Sequence, residues 1–511
     1  MNRFVGIFLS VIAVVGLAWL SADISLLDDD WGHLKLAANG VGFIWTTGWE
    51  GLIGQGGYYR PIVVLSFYLN YLIGGFDPAG YHVLNVLIHA GCAGLVFVLG
   101  RQLGLGAGIC WGGAGLFFVL PIHTDSVFWI VGRTDTICAL FYLGSMIVFL
   151  MLLEAWSVWT LGGLVVCAGL AFLSKEMALS LPGVLLVLAW YHNRLTTKSG
   201  VLGVGAVVVV LLMYFVVRWV VLGGLFGGTP SLRFSVVRWG IDLAKSFAKF
   251  GMTDLKWLGG VVLIITGGLF VWGFRKDKHG LRSLPVMLTV VCVVSLVPVL
   301  GHLHNWYLYI PSAFFCLVVA DIWLRHSGRI FSFLLVGLLV YYAGVMLRES
   351  LLWRDASRLS EMFVAEVLPY AQTTQGRLFV LNTPSAWGPS NSIGGKPLFA
   401  FALKNAVSMR SLKPIPADIV MVNHVWLTGE LMCEILRNDH VFQVEIADGG
   451  FFSFHEGREE TPPFHLNRKW GRVNVMSQNL LSVELDLKEE DRVIVYNRGL
   501  LKSIQNNLNQ E

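Results

Sequence analysis

Eleven apolar runs constrain this chain more than any other feature. They lie at about 4–22, 82–99, 105–122, 134–153, 157–173, 177–192, 201–222, 257–274, 283–300, 306–324 and 329–347. A helix rises about 1.5 Å per residue, so runs of this length cross a hydrocarbon layer of roughly 30 Å. Such a series demands lipid as solvent and excludes both a disordered chain and an ordinary soluble enzyme. Composition agrees: 55% of the 511 residues are hydrophobic and 14% are charged. A twelfth run, Ile62 to Gly74, is too short to span and is expected to lie in the interface or re-enter. The first run follows Asn2-Arg3 and lacks a convincing signal-peptide cleavage site, so it is read as a retained helix.

Charge sets the topology. With eleven spans, Arg3, Arg101, Arg194, Lys198, Arg275, Lys276, Lys278, Arg282, Arg325 and Arg329 fall on one side, as the positive-inside rule asks of the cytoplasmic face. Residues 23–81, 123–133, 223–256, 301–305 and the C-terminal domain then lie outside the cytoplasm. The 223–256 loop is basic despite its side. Within it Arg238, Asp242, Lys245 and Lys249 form one helical stripe beside Phe234, Ile241, Ala244, Phe247 and Ala248, the pattern of an amphipathic interfacial helix. It serves either as an anchor to anionic headgroups or as a surface for an anionic lipid substrate.

Residues 1–355 hold 38 charged residues and the shorter 356–511 stretch holds 32, so the chain divides into a membrane domain and a water-soluble one. The second part carries β-rich pieces at 377–382, 418–423, 441–446 and 492–496, punctuated by Pro and Gly, and helical patterns near 357–368, 398–409 and 428–437. The fold expected is a polytopic all-α membrane domain of about eleven transmembrane helices plus interfacial helices, followed by a C-terminal α/β domain. Six of the seven cysteines sit in apolar runs and only Cys433 lies in the soluble part, so that domain has no internal disulfide. No Cys/His cluster suggests zinc, and no basic run suggests nucleic acid.

Polar residues in or beside the spans are few, and each needs a reason. Asp28-Asp29-Asp30 follow the first span. They are either a polar helix stop, one of them capping a helix from about Gly32, or carboxylates whose crowding and dehydration suit a general base. Tyr59-Arg60 precede the short run. His82, Asn85 and His89 share one helix face. His123, Asp125, Arg133 and Asp135 cluster at one outer junction, Lys175-Glu176 at a second, and His304 and Tyr307 at a third. Arg218 lies just inside the outer end of its span. Two readings stand for this set. Lys175 with Glu176 and Arg133 with Asp135 form charge pairs within the bundle, or the basic groups bind phosphate.

In order, the stretches YYRPIVVLSFYLNYLIGGFDPAGYHVLNVLIHAG, LPIHTDSVFWIVGRTDTICALFYL, FLSKEMALSLP and NWYLYIPS, preceded by the acidic residues, resemble the membrane glycosyltransferases of the GT-C type. The nearest likeness is to the protein O-mannosyltransferase-like enzymes that in animals carry tetratricopeptide repeats. The resemblance covers roughly residues 20–355, and no such repeats follow. It implies an integral-membrane transferase using a polyprenyl-phosphate sugar donor and an acceptor hydroxyl on a protein, lipid or glycan. Asp29-Asp30 match the family's acidic pair, with Asp28 an extra neighbour. His123 and Asp125, with one residue between them, stand where the family has its His and acid pair, and Lys175-Glu176 match its Ser-Lys-Glu. The family often has Glu-Arg before Tyr-Leu-Tyr, where this chain has Asn305-Trp306, so one basic donor contact is missing from that position.

The implied activity is transfer of a hexosyl or pentosyl group, with Asp29 or Asp30 as base and Arg218, Lys175 and the 233–256 stripe holding the donor phosphate. A divalent metal at the acidic cluster is possible and not required. The expected location is the bacterial inner (plasma) membrane, in contact with its lipids, with the C-terminal domain outside the cytoplasm. Two rivals are a transporter or flippase for a lipid-linked glycan and a non-catalytic glycan receptor. The first is disfavoured because the charges gather at one face and no repeat relates two halves.

Overall fold

The structure, a computed structural model, describes residues 3–46, 58–223, 236–250, 256–276, 283–300, 303–326, 328–389, 393, 395–400, 402–411, 413–453 and 462–504. Arg233, Phe234, Lys278, Arg282 and His302 lie outside the described residues. The chain forms two compact units. One comprises Met1–Asp23 and Leu36–Ser350, the other Ile24–Lys35 and Leu351–Glu511. The acidic segment is therefore grouped with the C-terminal part.

The first unit is helical. Five described helices are long and apolar enough to cross a bilayer: Pro78–Gln102, Ile130–Glu154, Lys198–Leu222, Asn305–Arg325 and Arg329–Thr373. Ala107–Val119 and Pro121–Phe128 pass the same test together, but the chain bends by 47° between them, where Pro121 has no N–H to continue the ladder. Shorter apolar helices are Ser10–Ser21, Pro61–Gly74, Val158–Phe172, Glu176–Tyr191 and Leu284–Val299. Helix ends follow local chemistry. Asp77 caps Pro78–Gln102 by accepting from the Ala79 N–H at 3.0 Å, Thr197 caps Lys198–Leu222 through the Gly200 N–H, and Gly223 at φ +69° ends that helix. Small residues let helices touch. A Cβ on Gly113 would come within 2.8 Å of Leu317, and one on Gly203 within 2.7 Å of Phe149. Outward positions are apolar, with Trp159 86% and Val220 80% exposed, as a lipid-facing surface requires.

The second unit is richer in strands than its sequence suggested. Arg377–Leu381 (β1), Thr383–Trp387 (β2), Lys396–Pro397 (β3), Asp418–Met421 (β4), His424–Asn438 (β5), Val441–Ser453 (β6), Phe464–Arg468 (β7), Gly471–Val475 (β8), Leu480–Leu485 (β9), Arg492–Asn497 (β10) and Leu500–Ile504 (β11) build two sheets. One runs β11-β10-β1-β4, the other β3-β2-β5-β6-β9-β8-β7. In the first, β1 pairs parallel with β10 and β4. Asn382, buried at φ +58°, turns the chain from one sheet into the other and exchanges hydrogen bonds with Asn423. Asparagine tolerates that left-handed conformation better than most residues. The stretch 428–437, expected as a helix, is part of β5 and pairs antiparallel with β6.

Candidate active site

Within the first unit the polar residues converge at helix junctions. Arg60 stands at the start of the short helix Pro61–Gly74, where Pro61 sets the first turn. Its Nη2 donates to Glu176 Oε2 at 2.7 Å and its Nε to the same oxygen at 3.0 Å. Its guanidinium lies 4.4 Å from the centre of the Tyr58 ring. Glu176 opens a 3-10 turn, Glu176–Ser180, and its second oxygen accepts from Arg218 Nη1 at 3.1 Å. Arg218 also donates to the Tyr214 hydroxyl, one turn back on its own helix, at 3.0 Å. One carboxylate thus holds two guanidiniums, one on each oxygen.

Lys175 turns elsewhere. Its Nζ meets Asp135 Oδ1 at 2.6 Å with both side chains 4% exposed, and lies 5.0 Å from the Tyr307 ring centre. Charge pairing within the bundle does occur, but with exchanged partners: Lys175 takes Asp135, and Glu176 takes Arg60 and Arg218. Arg133 is held by a different set of groups. Fully buried, it donates to Asn85 Oδ1 at 2.9 Å, Asn70 Oδ1 at 2.8 Å and the Tyr81 carbonyl at 2.9 Å, and it packs over the Phe67 ring. These contacts tie three helices together.

The histidines divide. His89 bridges the Tyr309 hydroxyl at 2.6 Å and the Phe118 carbonyl at 3.0 Å. His123 Nε2 bonds Ser312 Oγ at 2.7 Å, and its ring lies 4.5 Å from Tyr309. His82 and Asp125 are both buried. Asp125 sits in the one-turn helix Thr124–Phe128, pressed against Gly132: a Cβ there would come within 2.4 Å of the Asp125 carbonyl oxygen. His304 stacks flat on Trp306 at 4.4 Å, and Tyr59 donates to the Trp45 carbonyl at 3.2 Å. Tyr214 and Asp135 were not singled out as binding residues from sequence. The i, i+4 spacing of Tyr214 and Arg218 could have found the first.

The acidic segment belongs to the second unit and is ordered by it. The Asp28 N–H donates to the Leu398 carbonyl at 3.2 Å, and its Oδ1 accepts from the Ala402 N–H at 3.2 Å. Asp28 adopts φ +35°, a conformation that costs free energy and persists where surroundings impose it. Asp30 Oδ2 accepts from the Leu27 N–H at 2.9 Å. The helix starts at Asp29, not near Gly32, and runs to Ala38. Asp28 and Asp30 are buried, whereas Asp29 is half-buried; its carbonyl takes a hydrogen bond from His33 Nδ1 at 3.0 Å. Among the described residues, no group of three or more His, Cys, Asp or Glu side chains is arranged to hold a metal ion.

No family model matches the chain. Curated relatives do. Protein O-mannosyl-transferase TMTC2 of Mus musculus is 40% identical over 151 residues, 28% of this chain and 18% of that protein. Protein O-mannosyl-transferase TMTC4 of Homo sapiens is 45% identical over 101 residues, 17% of this chain and 14% of that protein. The chain thus spans less than a fifth of the length of these relatives. Among solved structures, ArnT from Cupriavidus metallidurans, bound to undecaprenyl phosphate, superposes with a TM-score of 0.50 at 12% identity, over 84% of this chain and 94% of that one. The chain therefore carries a fold of the GT-C membrane glycosyltransferase type and is similar to the protein O-mannosyltransferases.

Proposed function

We propose that this chain is an integral-membrane glycosyltransferase that moves a sugar from a polyprenyl-phosphate-linked donor to an acceptor hydroxyl on the non-cytoplasmic face. The observation that carries the reading is the Arg60–Glu176–Arg218 cluster. One carboxylate gathers two guanidiniums at a junction of apolar helices, so two cations stand side by side where lipid limits solvation. A lipid phosphate is the ligand chemistry that meets both conditions. The bound undecaprenyl phosphate of ArnT and the mannosyltransferase names of the relatives support the same class.

In this mechanism the acceptor hydroxyl attacks the anomeric carbon, the bond from that carbon to the phosphate oxygen breaks, and the phosphate leaves with the electron pair. The hydroxyl proton passes to a carboxylate. Asp29 is the base, because it is the most accessible of the three aspartates. The leaving phosphate needs no proton at neutral pH; it needs cations to hold its growing charge. A single displacement inverts the anomeric configuration.

Eleven spans, the bacterial inner membrane and an extracytoplasmic C-terminal domain complete the proposal. That domain selects the acceptor. The direct test supplies purified protein with a polyprenyl-phosphate sugar and follows release of polyprenyl phosphate and labelling of an acceptor. Donor that is translocated intact in vesicles, with no bond cleaved, would establish the flippase reading instead.

A further inference from the structure

The cations of the first unit differ in what already neutralises them. Lys175 is paired with Asp135, and Arg60 and Arg218 share Glu176. Lys249 is held differently: its Nζ donates to an uncharged acceptor, Asn305 Oδ1, at 2.9 Å. It sits near the end of the amphipathic helix Val236–Phe250, which is fastened to the bundle. Phe250 is 1% exposed and stacks on Phe315 at 4.6 Å, and Ser246 and Asp242 are buried. Lys245 and Arg238 of the same stripe are exposed, whereas Lys249 is half-buried.

Asn305 opens the four-residue turn Asn305–Leu308. Within that turn, Tyr307 packs against Lys175 and Trp306 lies between His304 and Trp129. One short turn therefore holds Lys249 at one end and meets Lys175 near the other. Among the described residues, Asp125, Asp242 and Lys245 are the charged groups within electrostatic reach of Lys249. The helix carrying Asp125 also buries the Thr124 and Ser126 hydroxyls without a hydrogen-bond partner among the described residues, an unmet demand of a kind that a ligand relieves.

We propose that Lys249, positioned by Asn305, binds a phosphate oxygen of the lipid-linked donor as a cationic contact additional to the Arg60–Glu176–Arg218 cluster. The inference rests on the donor reading above and narrows the expected basic stripe to one residue and its positioning partner. Recruiting Lys175 to an incoming phosphate would break a buried ion pair, which is strongly unfavourable. Recruiting Lys249 exchanges one neutral amide acceptor for an anionic one, which strengthens the hydrogen bond. The Asn305 Nδ2, a donor that the Lys249 contact does not use, can serve a second phosphate oxygen.

The test titrates undecaprenyl phosphate, with undecaprenol as the uncharged control, against the full chain in lipid nanodiscs. The variants are Lys249→Met, Lys249→Arg and Lys245→Met. The wild type is expected to prefer the phosphate. Lys249→Met weakens phosphate binding by roughly 10- to 100-fold, the effect of one charge-assisted hydrogen bond, and leaves undecaprenol binding unchanged. Lys249→Arg restores most of the loss, and Lys245→Met has little effect. Wild-type phosphate affinity in Lys249→Met overturns the inference, as does an equal loss in Lys245→Met or a parallel loss of undecaprenol binding. A wild type that does not distinguish phosphate from alcohol overturns the donor reading and this inference with it.

Discussion

Lys175 and Asp135, 40 positions apart, meet at 2.6 Å with both side chains 4% exposed, although each has an oppositely charged residue closer in sequence. Removing one partner of a buried pair leaves the other uncompensated, at a cost of about 3–5 kcal/mol. Lys175→Met and Asp135→Asn are each expected to lower the thermal midpoint of the detergent-solubilised protein markedly. The double variant Lys175→Met/Asp135→Leu should recover much of the loss, because the unpaired charge is gone. If the double variant is as unstable as the sum of the singles, the pair is not what couples these residues.

Arg133 offers a sharper structural test. Its planar fork reaches Asn85, Asn70 and Tyr81 in different directions, which a lysine with three donors on one nitrogen cannot reproduce. Arg133→Lys keeps the charge and is still expected to cost about 1–3 kcal/mol, the penalty of leaving buried polar groups unsatisfied. Thermal unfolding reads that loss. Donor affinity of the folded fraction should be unchanged, since Arg133 contacts protein on each of these sides. A selective loss of donor binding with normal stability would return Arg133 to the binding set.

The second unit has its own pH dependence. Asp491 is buried, which pushes its carboxyl up, but hydrogen bonds from the Arg377 guanidinium and from the Lys488 and Arg377 N–H groups outweigh this and hold it below the ordinary carboxylate value. A carboxyl depressed in the folded state contributes stability that is complete above its unfolded value near 4 and is lost as pH falls through the folded value. Denaturant unfolding of the full chain, monitored on the strand-rich unit, should weaken from about pH 4 downward. Asp491→Asn should be less stable than wild type at pH 7, with a shallower acid slope. An identical acid slope in the variant would remove Asp491 from the account.

The sequence was legible where one physical rule dominated. Apolar length located the bundle helices, and Ile62–Gly74 became the helix Pro61–Gly74, short as its length required. Strands 377–381, 418–421 and 492–497 fell where β-rich pieces lay between turn residues. Long-range partners overrode local pattern elsewhere. Leu431, Met432, Ile435 and Leu436 have the spacing of a helix face, yet as part of β5 Leu431 is buried and Leu436 is 68% exposed, because β6 supplies the pairing. The acidic segment could not be assigned to its unit from sequence, since its hydrogen bonds reach Leu398 and Ala402, about 370 residues away. Lys175 gave no local sign that it would bypass Glu176 for Asp135.

The three adjacent aspartates have separate roles to test. Asp28 anchors its segment through the Ala402 N–H, and Asp30 closes a turn on the Leu27 N–H. Asparagine retains a carbonyl acceptor but not the charge that strengthens both bonds. Asp28→Asn and Asp30→Asn should therefore lower stability by about 1–2 kcal/mol each, with transfer reduced only as far as folding is. Asp29, half-buried at the first turn of its helix, is the proposed base. Asp29→Asn keeps shape and removes basicity. Its thermal midpoint should match wild type, donor should still bind, and turnover should fall by about 10²- to 10⁴-fold, the usual loss on removing a general base. Turnover that tracks stability across all three variants would make the segment a structural clasp and leave the reaction without its base. Loss confined to Asp30→Asn would move the base by one residue and require the Leu27 hydrogen bond to open during the reaction.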